Sequence, residues 1–475
     1  VYENGVQYTV GTEAVYTLYA VWKVNQYTIK IESNGGTEIA PITQDYGTVV
    51  QAPAVTRTGY AFVEWYSDND FTEVFNFATM PAENITVYAK WQLNNFNGEY
   101  AGIRNVEEFL LIKENLNGNY ILMNDINLGD WGNRINGFNG EFDGNGMTVT
   151  ITSGGIFNKV DGNIRNLNVI INADSGTWGA IAITSNGIIE NCHVEGTISR
   201  HERGEAYVGA ITQTANDVIN CSANIELNVT AVEDLNRRGI ARIGGLVCTL
   251  NGEMRNCYIT GTIGYETRDS NNCASVGGLV YTNNGTIESC YSDVVIYARG
   301  TVAGLVAVNN SGGIIQNSYA NVNIRAYTWH GDYSWNTNDA TVGGLVCTNY
   351  GDLRNSFAII ESMVVNGSKG DIYYNGVEPV NCLSHGSGEV TDYKSYVNEL
   401  GWDTDLWVFG YDIPLLYEAD KYIRVNYVMG YETLNSNNPD AYLIGSAGFI
   451  LNDPIREGYT FGGWYTDDNF ENEIT

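Results

Sequence analysis

Gly244-Gly245-Leu246-Val247-Cys248-Thr249-Leu250-Asn251-Gly252-Glu253-Met254-Arg255-Asn256-Cys257-Tyr258-Ile259 is a phrase that the chain keeps rewriting. It returns as Gly277-Gly278-Leu279-Val280, closing on Ser289-Cys290-Tyr291, and as Gly343-Gly344-Leu345-Val346, closing on Asn355-Ser356-Phe357. Looser copies begin at Gly154, Gly179, Gly209 and Ala303. Each unit is a Gly-Gly-Leu-Val strand, a turn such as Asn251-Gly252, Asn284-Gly285 or Tyr350-Gly351, and a second strand. A unit this short buries its apolar face only against its neighbours, so the repeat predicts a solenoid.

The closing Asn falls at Asn166, Asn191, Asn220, Asn256, Asn317, Asn355 and Asn381, with Ser289 in its place once. Successive spacings are 25, 29, 36, 33, 28, 38 and 26 residues, while the Gly-to-Asn interval holds near 11. One connection per coil therefore absorbs the length variation. Stacking at about 4.8 Å would align the Asn residues into a ladder whose amides bond from coil to coil. Leu246, Val247, Met254, Cys257, Ile259 and Ile263 are the expected inward or corner residues. Cys192, Cys221, Cys257, Cys290 and Cys382 share one repeat position with Ser318 and Ser356. A Cys that exchanges with Ser reads as a small buried thiol ahead of a disulfide.

The 475 residues carry 24 Lys+Arg against 55 Asp+Glu, a net charge of −31. That balance argues against nucleic-acid binding, which needs clustered cations. It suits a secreted or surface protein, and no apolar run of about 20 residues is present to insert into a membrane.

On either side of the repeats the pattern changes. Gly59-Tyr60-Ala61-Phe62-Val63-Glu64-Trp65-Tyr66 recurs as Gly458-Tyr459-Thr460-Phe461-Gly462-Gly463-Trp464-Tyr465, and Tyr88-Ala89-Lys90-Trp91 echoes Tyr19-Ala20-Val21-Trp22. These alternating segments resemble the Listeria–Bacteroides repeat, also called the internalin B-repeat, a small β-grasp-like module of bacterial surface proteins. Tyr60, Phe62, Trp65 and Trp91 would supply its core. The repeats over roughly 138–384 resemble the GLUG family of bacterial β-helix regions. Together the resemblances imply an all-β chain: a right-handed parallel β-helix (solenoid) flanked by small β-grasp-like modules. The expected division is 1–23 the end of one module, 24–93 a complete module, 94–420 the β-helix with its caps, and 421–475 a truncated module. Starting and stopping inside modules, the chain reads as a segment of a longer bacterial surface or cell-wall protein whose neighbouring repeats are its first partners. A short helix from Asn105, with Glu108 completing its cap, should cover the solenoid's first end, and Tyr393–Leu400 with Trp402 and Trp407 its last.

No catalytic constellation stands out. GLUG regions occur beside IgA-specific metallopeptidases, yet His201-Glu202-Arg203-Gly204-Glu205 lacks the second His of a zinc motif. Asp125, Asp130, Asp143 and Asp161 do not recur on one strand, and Asp125 and Asp143 suit turns better than acid–base work. No metal site is assigned; calcium at Asp68-Asn69-Asp70 or Asp467-Asp468-Asn469 is the one cofactor alternative, though neither spacing fits a twelve-residue calcium loop. The candidate ligand edge is the variable connection: Arg200, Arg203, Arg237, Arg238, Arg242, Arg268, Arg299 and Arg325, joined in the longest copy by Tyr327, Trp329, His330, Tyr333 and Trp335. Aromatic groups beside Arg suit a surface glycan or a protein ligand. Tyr258, Tyr291, Tyr319 and Phe357 should stack as an outward column, covered by other chain or supporting one another. The function expected is adhesion; a polysaccharide-active enzyme and a purely structural stalk are the alternatives.

Overall fold

In a computed structural model of the chain the described residues are 22–57, 60–93, 100–174, 176, 178–232, 239–265, 273–326, 340–365, 367–386, 389, 393–409, 413–418, 421–425, 427, 438–439, 441–446, 451–454, 461–466, 470 and 474. They fall into two compact units, 1–102 and 103–475.

The first unit is a mixed four-stranded sheet in the order Ile42–Asp45, Gln26–Glu32, Ile85–Leu93, Tyr60–Tyr66. The two central strands run parallel and each edge strand is antiparallel to its neighbour. Strand alternation turns Ile29, Ile31, Trp65, Val87 and Ala89 to one face, where they bury with Val50 and Met80. Trp65 is the centre of this core. Phe62, 37% exposed, stands at the rim instead, its ring 5.7 Å from that of Trp91. Trp91 is half-buried and its indole N–H donates to Ser33 O at 2.8 Å.

The second unit is built on a parallel β-helix. One long sheet runs through ten parallel strands from Ile126–Asp130 to Leu383–Gly386. A second sheet takes two short strands from most coils, such as Val247–Leu250 and Glu253–Arg255, on either side of a turn. A third, of six strands, starts only at Glu205–Val208 and ends at Gly367–Gly370. Pairing is in register over long stretches: Val194 faces Ala223, which faces Ile259, Ser292, Ala320 and Ala358 in turn.

Like therefore stacks on like. Leu246, Leu279, Leu305 and Leu345 are fully buried; the backbone N–H of each of the first three donates to the next Leu carbonyl and that of Leu345 to Ile372 O, all at 2.9 Å. The second glycine of each Gly-Gly pair is required by this approach: a Cβ on Gly278 would lie 1.8 Å from Gly304 O. Val247, Met254, Cys257, Ile259 and Ile263 are buried in the same interior. At the first end a helix, Val106–Leu110, and the 3₁₀ turn after it bury Phe109 and Ile112. Asn105 Oδ1 accepts from Glu108 N at 2.8 Å, while the Glu108 carboxylate accepts from Arg104 N at 2.9 Å.

The C-terminal segment behaves differently from the expected end cap. Its helix Tyr393–Glu399, the 3₁₀ turn Thr404–Leu406 and the antiparallel pair Trp407–Val408 with Leu415–Leu416 lie along the flank of the solenoid. Val377, Val380 and Leu383 of the last coil stay exposed. The large apolar surface needing cover is on the side, where the aromatic column stands.

Candidate functional site

Three consecutive repeat positions make three different columns. The first is Asn. Asn166, Asn191, Asn220, Asn256, Ser289, Asn317, Asn355 and Asn381 all hold φ between +46° and +53°, the left-handed conformation that Asn tolerates best among residues with a Cβ. Asn191 Nδ2 donates to Asn166 Oδ1 at 3.2 Å, Asn220 to Asn191 and Asn256 to Asn220 at 3.1 Å, and Asn381 to Asn355 at 3.0 Å. Asn166 in turn donates to Asp143 Oδ1 at 3.0 Å. At Ser289 the shorter side chain interrupts the column, leaving Asn256 Oδ1 buried without a hydrogen-bond partner; Asn317 Oδ1 also has none.

The second column explains the exchange of Cys with Ser. Each thiol or hydroxyl donates to the carbonyl two residues earlier, as Cys257 does to Arg255 O at 3.2 Å and Ser318 to Gln316 O at 2.8 Å. Each also accepts the backbone N–H of the preceding coil: Cys192 N to Cys221 Sγ at 3.4 Å, Cys290 N to Ser318 Oγ at 3.1 Å, Ser318 N to Ser356 Oγ at 3.2 Å. One donor and one acceptor on a small side chain are what the position needs. The cysteines are free thiols, and burial raises Cys192, Cys221 and Cys257 well above the usual range.

The third column is aromatic. Tyr258, Tyr291, Tyr319 and Phe357 stack with centroids 4.9 to 5.0 Å apart and planes within 7°. Tyr291, Tyr319 and Phe357 are buried beneath Tyr393, Val397, Trp402, Trp407 and Leu416. Tyr319 donates its hydroxyl to Pro414 O, and Tyr258 donates to Glu418 Oε1 at 2.9 Å. The column is thus a docking strip for the C-terminal segment and not an open binding face.

The variable connections leave from one line. They follow the strand ends Arg203, Val232, Tyr265, Ala298, Ala326 and Val365 and lead into the third sheet. Arg203 is in register with Val232, and Ala298 with Ala326 and Val365, while Tyr265 pairs with Val229. Tyr327, Trp329, His330, Tyr333, Trp335, Arg237, Arg238 and Arg268 fall on these connections and outside the described residues. Arg299 is described: it is the single residue between two strands and is buried at 8% exposure, so it does not stand on an open rim. Arg200 is buried too, paired with Glu202 and stacked 3.9 Å from the Trp178 ring centroid. Arg242 pairs with Glu205 at 3.0 Å and covers Tyr207. Of the expected cationic edge, Arg200, Arg242 and Arg299 are thus withdrawn by burial or by a neighbouring acid, while Arg203 and Arg325 are exposed.

A groove that the repeat pattern did not announce lies over the first coils, before the third sheet begins. It encloses about 640 Å³ between Lys113, Asp130, Trp131, Arg134, Ser153 and Trp178. The Arg134 guanidinium lies 4.9 Å from the Trp178 ring centroid, and Arg134 Nη2 donates to Gly176 O. Burial first, and the charge of Arg200 second, push the Arg134 pKa below its ordinary value. Asp130 is engaged by the Ser153 hydroxyl.

The other acids are engaged within their own turns or with the next coil. Asp143 Oδ1 accepts from Asn145 N and Asp125 Oδ1 from Thr148 N, both at 2.8 Å. Asp161 accepts from Lys159 and Asn186. Asp68 accepts from Thr72 N and Glu73 N, and the Glu73 N–H above all holds its carboxyl below the usual range. Among the described residues no group of three or more His, Cys, Asp or Glu is placed to hold a metal ion. No helix there is long and apolar enough to cross a membrane.

The model of the Listeria–Bacteroides repeat domain matches residues 27–90 and 430–475. A protein of Evansella cellulosilytica, provisionally named a Gly-rich membrane protein, is 40% identical over 97 residues, which is 20% of this chain and 11% of that protein. Internalin H of Listeria monocytogenes is 37% identical over 82 residues, 17% of this chain and 15% of its own. Among solved structures, one of a chain from Bacteroides ovatus, provisionally named an immunoglobulin A1 protease, is similar with TM-score 0.38 and 16% identity over 68% of this chain and 93% of that one. The L. reuteri 53608 SRRP is similar with TM-score 0.25 and 13% identity over 60% of this chain and 98% of that one.

Proposed function

We propose that the chain is a ligand-presenting, non-catalytic segment of a larger bacterial cell-surface protein, adhesin-like in role. In this reading residues 94–420 are a GLUG-type β-helix held between Listeria–Bacteroides modules at 24–93 and 421–475, and the solenoid is a rigid rod that displays one row of variable connections to the outside of the cell. The observation that carries it is the contrast in connection length along that row. Arg299 alone joins two strands, whereas thirteen residues, 327–339, separate Ala326 from Ala340 at the matching position. A scaffold that tolerates both at register-equivalent sites suits display. The engagement of Asp125 and Asp143 by backbone N–H groups favours it over a glycan-cleaving reading, and internalin H, a named relative of the module, points to the surface. The test is a binding screen of the whole chain against immobilised glycans and proteins, with Trp329→Ala and Trp335→Ala beside the wild type. Loss of binding in either variant supports the reading. Equal binding removes the long connection, and release of reducing ends from a polysaccharide panel overturns the non-catalytic assignment.

A further inference from the structure

We propose that the groove over the first coils is a second binding site, one for an acidic saccharide whose carboxylate meets Arg134 while a sugar ring lies on Trp178. This deepens the ligand-presenting reading and rests on it. The argument begins with charge. In a chain of net charge −31, ion pairs among the described residues take up nine Lys and Arg side chains. Lys113 and Arg134, both lining the groove, are not among them. Behind them Arg200, 2% exposed, stacks on the same indole, and its Nε has no hydrogen-bond partner. Two guanidiniums therefore share one ring; Glu202 is spent on the buried one, and the groove's own carboxylate, Asp130, is engaged by the Ser153 hydroxyl. An entering anion would relieve that crowding, and a carboxylate fits a guanidinium bidentately.

The remaining lining selects a sugar. Trp178 is partly exposed at the groove, and Arg134 and Arg200 both lie over its ring, so a sugar would meet the part of the indole they leave uncovered. Asn133 and Asn158 offer two amides for ring hydroxyls, and the Ser153 hydroxyl, which donates to Asp130, can still accept from one. A volume of about 640 Å³ is in the range of small-ligand sites. The site exists because the third sheet starts only at Glu205, so the earlier coils leave this corner without a strand of it.

The experiment is calorimetric titration of the whole chain with a hexuronate tetrasaccharide and with its carboxyl-reduced form. The acidic sugar should bind at least about tenfold tighter, and its affinity should fall with added salt. Arg134→Gln and Trp178→Ala should each weaken it by about tenfold or more, with Arg134→Lys in between. Unchanged melting temperatures show that the variants fold; the comparison of the two sugars needs no variant. Equal affinity for both sugars, or no effect of Arg134→Gln, overturns the proposal. A tetraglutamate peptide that binds as tightly as the sugar, with the same dependence on Arg134, overturns the saccharide assignment. If Trp329→Ala abolishes binding of the acidic sugar while Arg134→Gln does not, the groove falls and the display reading stands. If neither sugar binds but the wild type captures another ligand in the screen above, the groove alone again falls.

Discussion

Two corners of the same coils obey opposite rules. At the Asn corner eight successive coils repeat one backbone conformation and one side-chain size, with a single lapse to Ser289. At the connection corner the same coils differ from one residue to thirteen. The difference teaches where a solenoid keeps its specification. A left-handed turn carrying a coil-to-coil amide bond fixes the pitch, and once pitch is fixed the far corner is free to vary. Loop length costs little because closure entropy grows only with its logarithm.

The comparison can be attacked from both sides. Asn220→Val should have the largest effect, about 3 kcal/mol of lost stability, since a β-branched residue is forced to positive φ and two ladder bonds vanish; Asn220→Gly, which keeps the conformation, should lose about half as much. Denaturant unfolding of both variants separates the backbone contribution from the hydrogen bonds. Ser289→Asn should stabilise by about 1 kcal/mol by giving Asn256 Oδ1 its missing donor, seen as a higher denaturation midpoint at unchanged slope. A smaller effect is expected from pH. His193 beside the C-terminal segment and His385 against Phe357 are both held below their ordinary pKa, chiefly by burial. Lys421 lowers His193 further, Glu195 and Glu418 oppose it, and Glu389 opposes the shift of His385. Folding thus disfavours their charged forms. The unfolded chain takes up protons first as pH falls below about 6.5, and stability present above that pH is lost on acidification. Between pH 7.5 and 5 the melting temperature of the His193→Gln, His385→Gln double variant should fall less than that of the wild type. The smallest effect belongs to the connection corner: replacing 327–339 by one residue, the length already found at Arg299, should leave stability within about 1 kcal/mol. A collapse of the fold there would erase the distinction between the corners.

How much was legible follows the repetition. Gly245, Leu246, Asn256 and Cys257 keep the same spacing to one another from copy to copy, so solenoid and interior could be read directly. A second set of Asn could have been read the same way. Asn283, Asn309 and Asn349 are fully buried and bond in series at 2.9 and 2.8 Å, and their recurrence in Thr-Asn-Asn, Val-Asn-Asn and Thr-Asn-Tyr was the available signal. The groove had none. Lys113, Arg134, Trp178 and Arg200 are scattered over coils that follow the repeat least, and nothing in their spacing links them.

The sequence by itself determined that like residues would stack, because each unit is too small to bury its own apolar face and its neighbour offers the same face in the same order. It also determined the Asn turns, since the left-handed conformation selects among side chains locally. Only the tertiary structure decided what covers the aromatic column and which cations remain unpaired. Those outcomes depend on contacts between segments such as Tyr258 and Glu418, or Trp178 and Arg200, whose partners are set by the folding back of the chain and carry no period.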